Sequence, residues 1–227
     1  MITVVIFDLD DTLYDEIDYC RSGFAAVAEY LAEPPGAPPA KRIFAALWGQ
    51  FSAGNHTRTF DAALDELDIE FDGLRVRRLV DVYRNHMPRI TLPDESREIL
   101  DKLKRRYTLA LLTDGFLPAQ QLKVQALGIE DYFASIVYTE QLGREFWKPS
   151  SVGFEKIMQD LDAKPENIIY IGDNEKKDFI APNKLGFSTI HLMRPAGIHT
   201  TVCDEPGARA QHEIQRIGQL PTLIEQL

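Results

Sequence analysis

A chain of 227 residues, 44% hydrophobic and 26% charged, is long enough for one large domain or two smaller ones, and its composition excludes disordered, collagen-like and fibrous classes. With 25 Lys+Arg against 35 Asp+Glu the formal net charge is −10, which excludes a basic nucleic-acid binder and disfavours docking on anionic membranes. The 2 cysteines, Cys20 and Cys203, form no CxxC pair and no disulfide framework, so a reducing cytoplasm is the expected location.

The chain opens on an apolar, β-branched run over residues 2–7 that ends at Asp8. It lacks the basic start and the length of a secretory leader, so a mature start is expected. The run reads instead as a strand buried on both faces, as in parallel sheets. Similar runs follow at 108–113, 135–138, 167–171 and 188–192, with helical patterns at 118–127 and 151–161 between them. This alternation predicts βαβ units with right-handed crossovers and a parallel sheet covered by helices on both faces. Residues 15–91 break the pattern and read as an inserted helical domain, with helices near 19–31, 41–51, 58–67 and 72–86. Prolines in 33–40 stop the first of these and read as a stiff interhelix loop. Trp48 and Phe51, at helical spacing, suit the core of the insert. A short final helix is expected around Leu220, Leu223, Ile224 and Leu227. No run reaches the ~20 apolar residues of a membrane span.

Ligands of open α/β sheets bind beyond the carboxyl ends of the strands. There the chain places Asp8-Leu-Asp10-Asp11-Thr12, then Thr113-Asp114-Gly115, then Lys148-Pro149, then Gly172-Asp173-Asn174 with Asp178 four residues on. Each alone has an ordinary reading: a turn-capping Asp, a strand-end threonine, a solvated lysine. Together they supply phosphoryl transfer to a carboxylate. A carboxylate nucleophile divides hydrolysis into two steps, and an acid two residues on can protonate the leaving oxygen and later activate water. Mg²⁺ held by Asp8, Asp173 and waters would offset the crowded charge. Lys148 adds a fixed cation, and the Thr113 hydroxyl with the N–H groups of Asp114 and Gly115 can hold a phosphoryl oxygen.

In order and spacing these segments resemble the motifs of the haloacid dehalogenase superfamily, and the insert resembles that superfamily's C1 cap. The resemblance implies a Rossmann-like three-layer core formed by residues 1–14 and 92–227, with a cap over 15–91. It implies Asp8 as nucleophile, Asp10 as general acid/base and, through its carbonyl, a metal ligand, and Asp173 as a metal ligand. Asp178 would bind metal through water or orient Lys148. The expected activity is Mg²⁺-dependent hydrolysis of a small phosphate monoester such as a sugar phosphate, nucleotide or similar metabolite, by a monomer or homodimer. A phosphomutase of the β-phosphoglucomutase type, a haloacid dehalogenase and an inactive binding protein are the competing readings.

Some features stand outside those motifs. Glu145-Phe146-Trp147 precedes the lysine where many relatives have basic or small residues, and Trp147 reads as core or as a stacking surface. Asn174 and Glu175 suit either a turn or the metal's surroundings, and Asp11 reads as a brace of its loop. Substrate choice is expected from the insert and its entry, where Tyr14, Asp15, Tyr19, Arg21, Trp48, Asn55, His56 and Arg58 are candidates. The basic run 102–106 falls in the last turn of a helix, where cations suit the dipole. The histidines at 56, 86, 191, 199 and 212 contain no HxxH pair, and no P-loop, GxGxxG or GxSxG occurs.

Overall fold

A computed structural model describes residues 1–194, 197 and 203–227; His199 lies outside the described residues. Apolar β-branched segments pair into a parallel sheet of six strands: β1 (Val4–Phe7), β2 (Thr108–Thr113), β3 (Ser135–Tyr138), β4 (Ile168–Gly172), β5 (Ser188–Leu192) and β6 (His212–Ile214). Their order is β3-β2-β1-β4-β5-β6, so β1 lies between β2 and β4 and the chain reverses direction across the sheet there. The first strand begins at Val4 rather than residue 2, because the ladder opens where Val4 meets Thr108 and Ile168. The final short strand, His-Glu-Ile, was not anticipated; three residues with one buried position carry too little periodicity to read.

Both sheet faces are covered, as the unbroken apolar runs require. Val4 and Ile6, Ala110 and Leu112, Ile168 and Tyr170 alternate into one core with Phe154, Ile157, Phe179 and Phe187. The intervening residues, such as Val5, Phe7, Leu109, Leu111, Ile169 and Ile171, are buried as well.

The chain divides into two compact units, one of Met1–Glu16 with Thr91–Leu227 and one of Ile17–Ile90. Besides the sheet, the first contains α5 (Asp94–Lys104), α6 (Ala119–Leu127), α7 (Val152–Asp160), α8 (Ile180–Leu185) and α9 (Leu220–Ile224). Acidic residues open α5 and Lys102 and Lys104 close it, matching the helix dipole at both ends. The second unit is built from α1 (Glu16–Ala32), α2 (Ala40–Ser52), α3 (Thr59–Glu66) and α4 (Gly73–Asn85). The prolines of the 33–40 loop separate α1 from α2, and the Asp72 side chain caps α4 by accepting from the Arg75 N–H at 2.8 Å. Buried Phe24 organises this unit: the rings of Trp48, Phe51, Phe60 and Tyr83 lie 5.3–6.4 Å from it. Trp48 and Phe51 thus pack as expected. Among the described residues no helix is long and apolar enough to cross a membrane.

Candidate active site

The strand order reverses between β1 and β4, and the carboxyl ends of the strands at such a switch point are the usual ligand position in these sheets. Asp8 follows β1 directly, and its N–H donates to the Ile171 carbonyl at 2.8 Å, which fixes the strand end. Asp173 follows β4, and Asp178 returns five residues later. Carboxylate oxygens of Asp8, Asp173 and Asp178 lie within 4.8 Å of one another, and all three residues are buried.

Lys148 is the cation set against them. Its Nζ donates to Asp8 Oδ1 at 2.7 Å and to the Tyr170 hydroxyl at 3.0 Å, and lies 2.8 Å from Asp178 Oδ1. Burial works against its charge, yet Asp178 and Asp8 hold it well above the usual lysine range. Asp178 is occupied on every side: Oδ1 accepts from Tyr170 at 3.0 Å and Oδ2 from the Asn174 N–H at 2.9 Å. Despite burial, Lys148 and Lys177 keep it below the usual carboxylate range. Asp178 is therefore placed to orient Lys148.

Asp8 Oδ2 is different, being buried without a hydrogen-bond partner among the described residues. Burial pushes Asp8 up to about 6 against the pull of Lys148. Burial, with Asp178 and Asp8 nearby, pushes Asp173 up to about 9. An orphaned buried carboxylate oxygen beside two more buried carboxylates is a donor set that suits a hard divalent cation, whose charge would relieve both groups. Glu175 and His191 lie beside this loop, with the His191 ring nitrogen Nε2 2.8 Å from the Asp173 carbonyl.

Asp10 lies on the other side of the β1 loop. Its Oδ1 accepts from the Tyr14 hydroxyl at 2.5 Å and from Lys123 Nζ at 2.8 Å; its Oδ2 accepts from Lys123 at 2.9 Å and from Gln120 Nε2 at 2.9 Å. Burial opposes its charge, but Lys123 outweighs it and Asp10 lies below the usual carboxylate range. Asp11, in a left-handed conformation at φ 51°, accepts from the Glu16 N–H at 2.8 Å and so braces the start of α1. Glu16 itself is pushed up to about 7 by burial and by Asp10.

The end of β2 holds the loops together. The Thr113 hydroxyl accepts from Gln120 at 2.6 Å. Asp114 Oδ1 accepts from the Thr139 hydroxyl at 2.8 Å and from the Lys148 N–H at 3.1 Å, so its side chain ties the β2 end to the lysine loop. Gly115 has φ 140°, and a Cβ there would meet Gln120 at 2.8 Å. Trp147 is half-buried, donating to Glu140 at 3.1 Å and meeting Phe116 edge to face.

The structure thus gathers Asp8, Asp173, Asp178 and Lys148 in one cluster, and Asp10, Thr113 and Gly115 around Gln120. Sequence reasoning missed Tyr170, Gln120, Lys123, Lys177 and Glu16. A signal existed for some: a hydroxyl inside an otherwise aliphatic buried strand needs a partner, and Gln120 and Lys123 interrupt the apolar face of α6 at helical spacing. Of the insert candidates, Tyr14 serves Asp10, Arg21 pairs with Asp18 at 3.0 Å, and His56 lies 4.7 Å from the Phe51 ring.

Residues 2–186 match the family described as haloacid dehalogenase-like hydrolase. The chain is 28% identical over 203 residues to a glyceraldehyde 3-phosphate phosphatase of Methanopyrus kandleri, covering 86% of this chain and 85% of that protein. It is 26% identical over 241 residues to a ribulose-1,5-bisphosphate 5-phosphatase of Halopiger xanaduensis, covering 99% and 100%. Among solved structures, a putative β-phosphoglucomutase from Thermotoga maritima shares the fold at a TM-score of 0.69 and 18% identity, covering 100% of both chains. A 2-haloacid dehalogenase from Pseudomonas syringae does so at 0.67 and 24%, covering 100% of this chain and 99% of that one. Since the family match spans most of the chain, including every strand that carries a candidate site residue, the protein belongs to the haloacid dehalogenase-like hydrolases.

Proposed function

We propose that the protein hydrolyses a small phosphate monoester, of the phosphorylated-sugar kind, with Mg²⁺ and a phosphoryl group carried transiently on Asp8. The observation that carries the reading is Asp8 itself: one oxygen is held by Lys148 and the other is buried with no partner among the described residues. A carboxylate fixed in this way presents one oxygen for attack while the lysine holds the other. The names of the relatives support phosphate monoesters of short sugars. Likeness to the solved mutase and dehalogenase is one of fold and assigns neither activity.

Asp8, the Asp10 carbonyl and Asp173 would hold the cation, with Asp178 reaching it through water. When bound, Mg²⁺ would supply positive charge to the phosphoryl oxygens and permit the anionic carboxylates to accept an anionic ester. In the first half, Asp8 attacks phosphorus while Asp10, ionised at rest and protonated as the ester binds, passes that proton to the departing alkoxide. In the second, water attacks the acyl phosphate while returning a proton to Asp10, and Asp8 is freed. Lys148 orients Asp8 and neutralises developing charge. Thr113, with the N–H groups of Asp114 and Gly115, binds the phosphoryl oxygens; the Asp114 side chain is occupied by its loop and acts there only through the backbone. Residues 15–91 would serve as a cap domain that selects the substrate, and residues 1–14 and 92–227 as the catalytic core, in a cytoplasmic monomer or homodimer.

The test is inorganic phosphate release from a panel of sugar phosphates, nucleotides and phosphorylated acids, with and without Mg²⁺. The Asp8→Asn variant is the blank, since an amide cannot accept the phosphoryl group. Release that needs both metal and Asp8 supports the reading. Full activity of the variant, or isomerised sugar phosphate without free phosphate, overturns it.

A further inference from the structure

α6 turns two polar side chains inward where apolar ones would pack more cheaply. Gln120 and Lys123 are 2% and 4% exposed, one turn apart on a helix face otherwise formed by Ala119, Val124 and Leu127. Burying an ammonium is expensive, and even a paired one is seldom retained for stability alone, because well-packed apolar replacements do as well or better. What the two side chains accomplish is geometric. Lys123 Nζ bridges both oxygens of Asp10 at 2.8 and 2.9 Å, and the Tyr14 hydroxyl takes a further site on Oδ1. Gln120 Nε2 reaches Asp10 Oδ2 at 2.9 Å, Thr113 Oγ1 at 2.6 Å and the Asp114 carbonyl at 2.8 Å. A carboxylate offers about four acceptor sites, so Asp10 is held in one orientation by donors from two separate elements. Its position is fixed relative to Thr113 by a single amide.

We propose that Lys123 and Gln120 are positioning residues of the acid/base step, holding the Asp10 carboxylate in register with the Thr113 hydroxyl so that acid and phosphoryl-binding group meet the same ester. The inference rests on the phosphatase reading above. In the first half-reaction the proton leaves Asp10 for the alkoxide as the P–O bond breaks. The carboxylate so formed is the species to which Lys123, Gln120 and Tyr14 donate. Catalytic groups need to be held to within about half an ångström, which a side chain in a solvated loop does not achieve alone.

The role predicts a leaving-group signature that damage to the fold does not. An alkyl phosphate needs a proton on its leaving oxygen, and a 2,4-dinitrophenyl phosphate does not. The quantity to read is kcat/KM, which stops at formation of the acyl phosphate, and the ratio between the two esters is independent of how much enzyme is folded. Lys123→Met and, separately, Gln120→Leu, which leaves the ion pair intact, are expected to lower kcat/KM about 10- to 100-fold on the alkyl ester and less than about 3-fold on the dinitrophenyl ester, within the range attributed to general acid catalysis. Lys123→Arg restores much of the loss. In an Asp10→Asn background neither substitution adds to the ratio. Equal losses on both esters, or an undiminished effect without Asp10, overturn the positioning role while phosphate release by the unaltered protein stands. Failure of the unaltered protein to release phosphate from either ester overturns the reaction and the positioning role together.

Discussion

An ideal Cβ built on Gly172 would lie 2.6 Å from Asp178 Oδ2, so the end of β4 and the carboxylate that braces Lys148 compete for one space. Only a residue without a side chain lets Asp178 fold back under the strand. Gly172→Ala is expected to displace Asp178, release Lys148 and lower kcat by at least about 10-fold. Forcing a methyl into a packed site costs about 1–3 kcal/mol. Urea unfolding and phosphate-release kinetics measure both effects, and unchanged turnover would show that Asp178 does not set Lys148.

Metal-free stability should depend on pH in a definite direction. Asp8 at about 6, Glu16 at about 7 and Asp173 at about 9 all lie above the ordinary carboxylate values near 4. Between about pH 4 and each of those values the folded chain holds a proton that the unfolded chain has lost, so stability falls as pH rises. Asp10 and Asp178 shift the other way, but their contribution is already complete above the ordinary value. In EDTA the melting temperature is expected to fall from pH 5 to pH 9, and saturating Mg²⁺ to flatten the slope by replacing those protons. A metal-free melting temperature that climbs over this range would contradict the assignment.

Tyr170 donates to Asp178 and accepts from Lys148, both at 3.0 Å, from the centre of a buried strand. Tyr170→Phe removes that link and keeps the ring against Phe154 and Phe179. The expected result is a stability loss of about 1 kcal/mol, typical of a lost hydrogen bond, with kcat reduced roughly 10-fold and the fold intact by circular dichroism.

Asp114 should behave as a loop anchor. Removing its side chain in Asp114→Ala leaves the Lys148 N–H without its acceptor and the Thr139 hydroxyl with only the Thr113 carbonyl at 3.3 Å, at a cost of about 1–3 kcal/mol. The accompanying loss should appear in kcat more than in KM, because the lysine loop shifts while the phosphate-binding N–H groups remain. A rise in KM alone would argue that the carboxylate meets substrate directly.

The parts of this protein legible in its sequence are those whose position follows from the chain itself. Residues 108–113, 135–138 and 188–192 announce their strands because short apolar runs bounded by polar residues have few other solutions. Asp8, Thr113 and Asp173 are legible as site candidates because each ends or directly follows a parallel strand, and all such ends share one edge. Tyr170, Gln120 and Lys123 were not, since a strand residue or helix residue shows its partner only after the sheet order brings distant segments together. Their direction is a tertiary fact. The missed β6 and α8 are three and six residues long, below the length at which periodicity declares itself.

The central place of β1 also bears on how the protein is made. Val4–Phe7 leaves the ribosome before both of its neighbours, which come from residues 108–113 and 168–172. Until those are synthesised the strand has no ladder partner on either edge and no cover on either face, a condition that invites aggregation. Ile17–Ile90, contiguous and with its own aromatic core, is synthesised before β2. The nascent chain would thus carry a finished helical unit behind an unsatisfied apolar strand, and a chain terminated before β4 is expected to need a chaperone to remain dispersed.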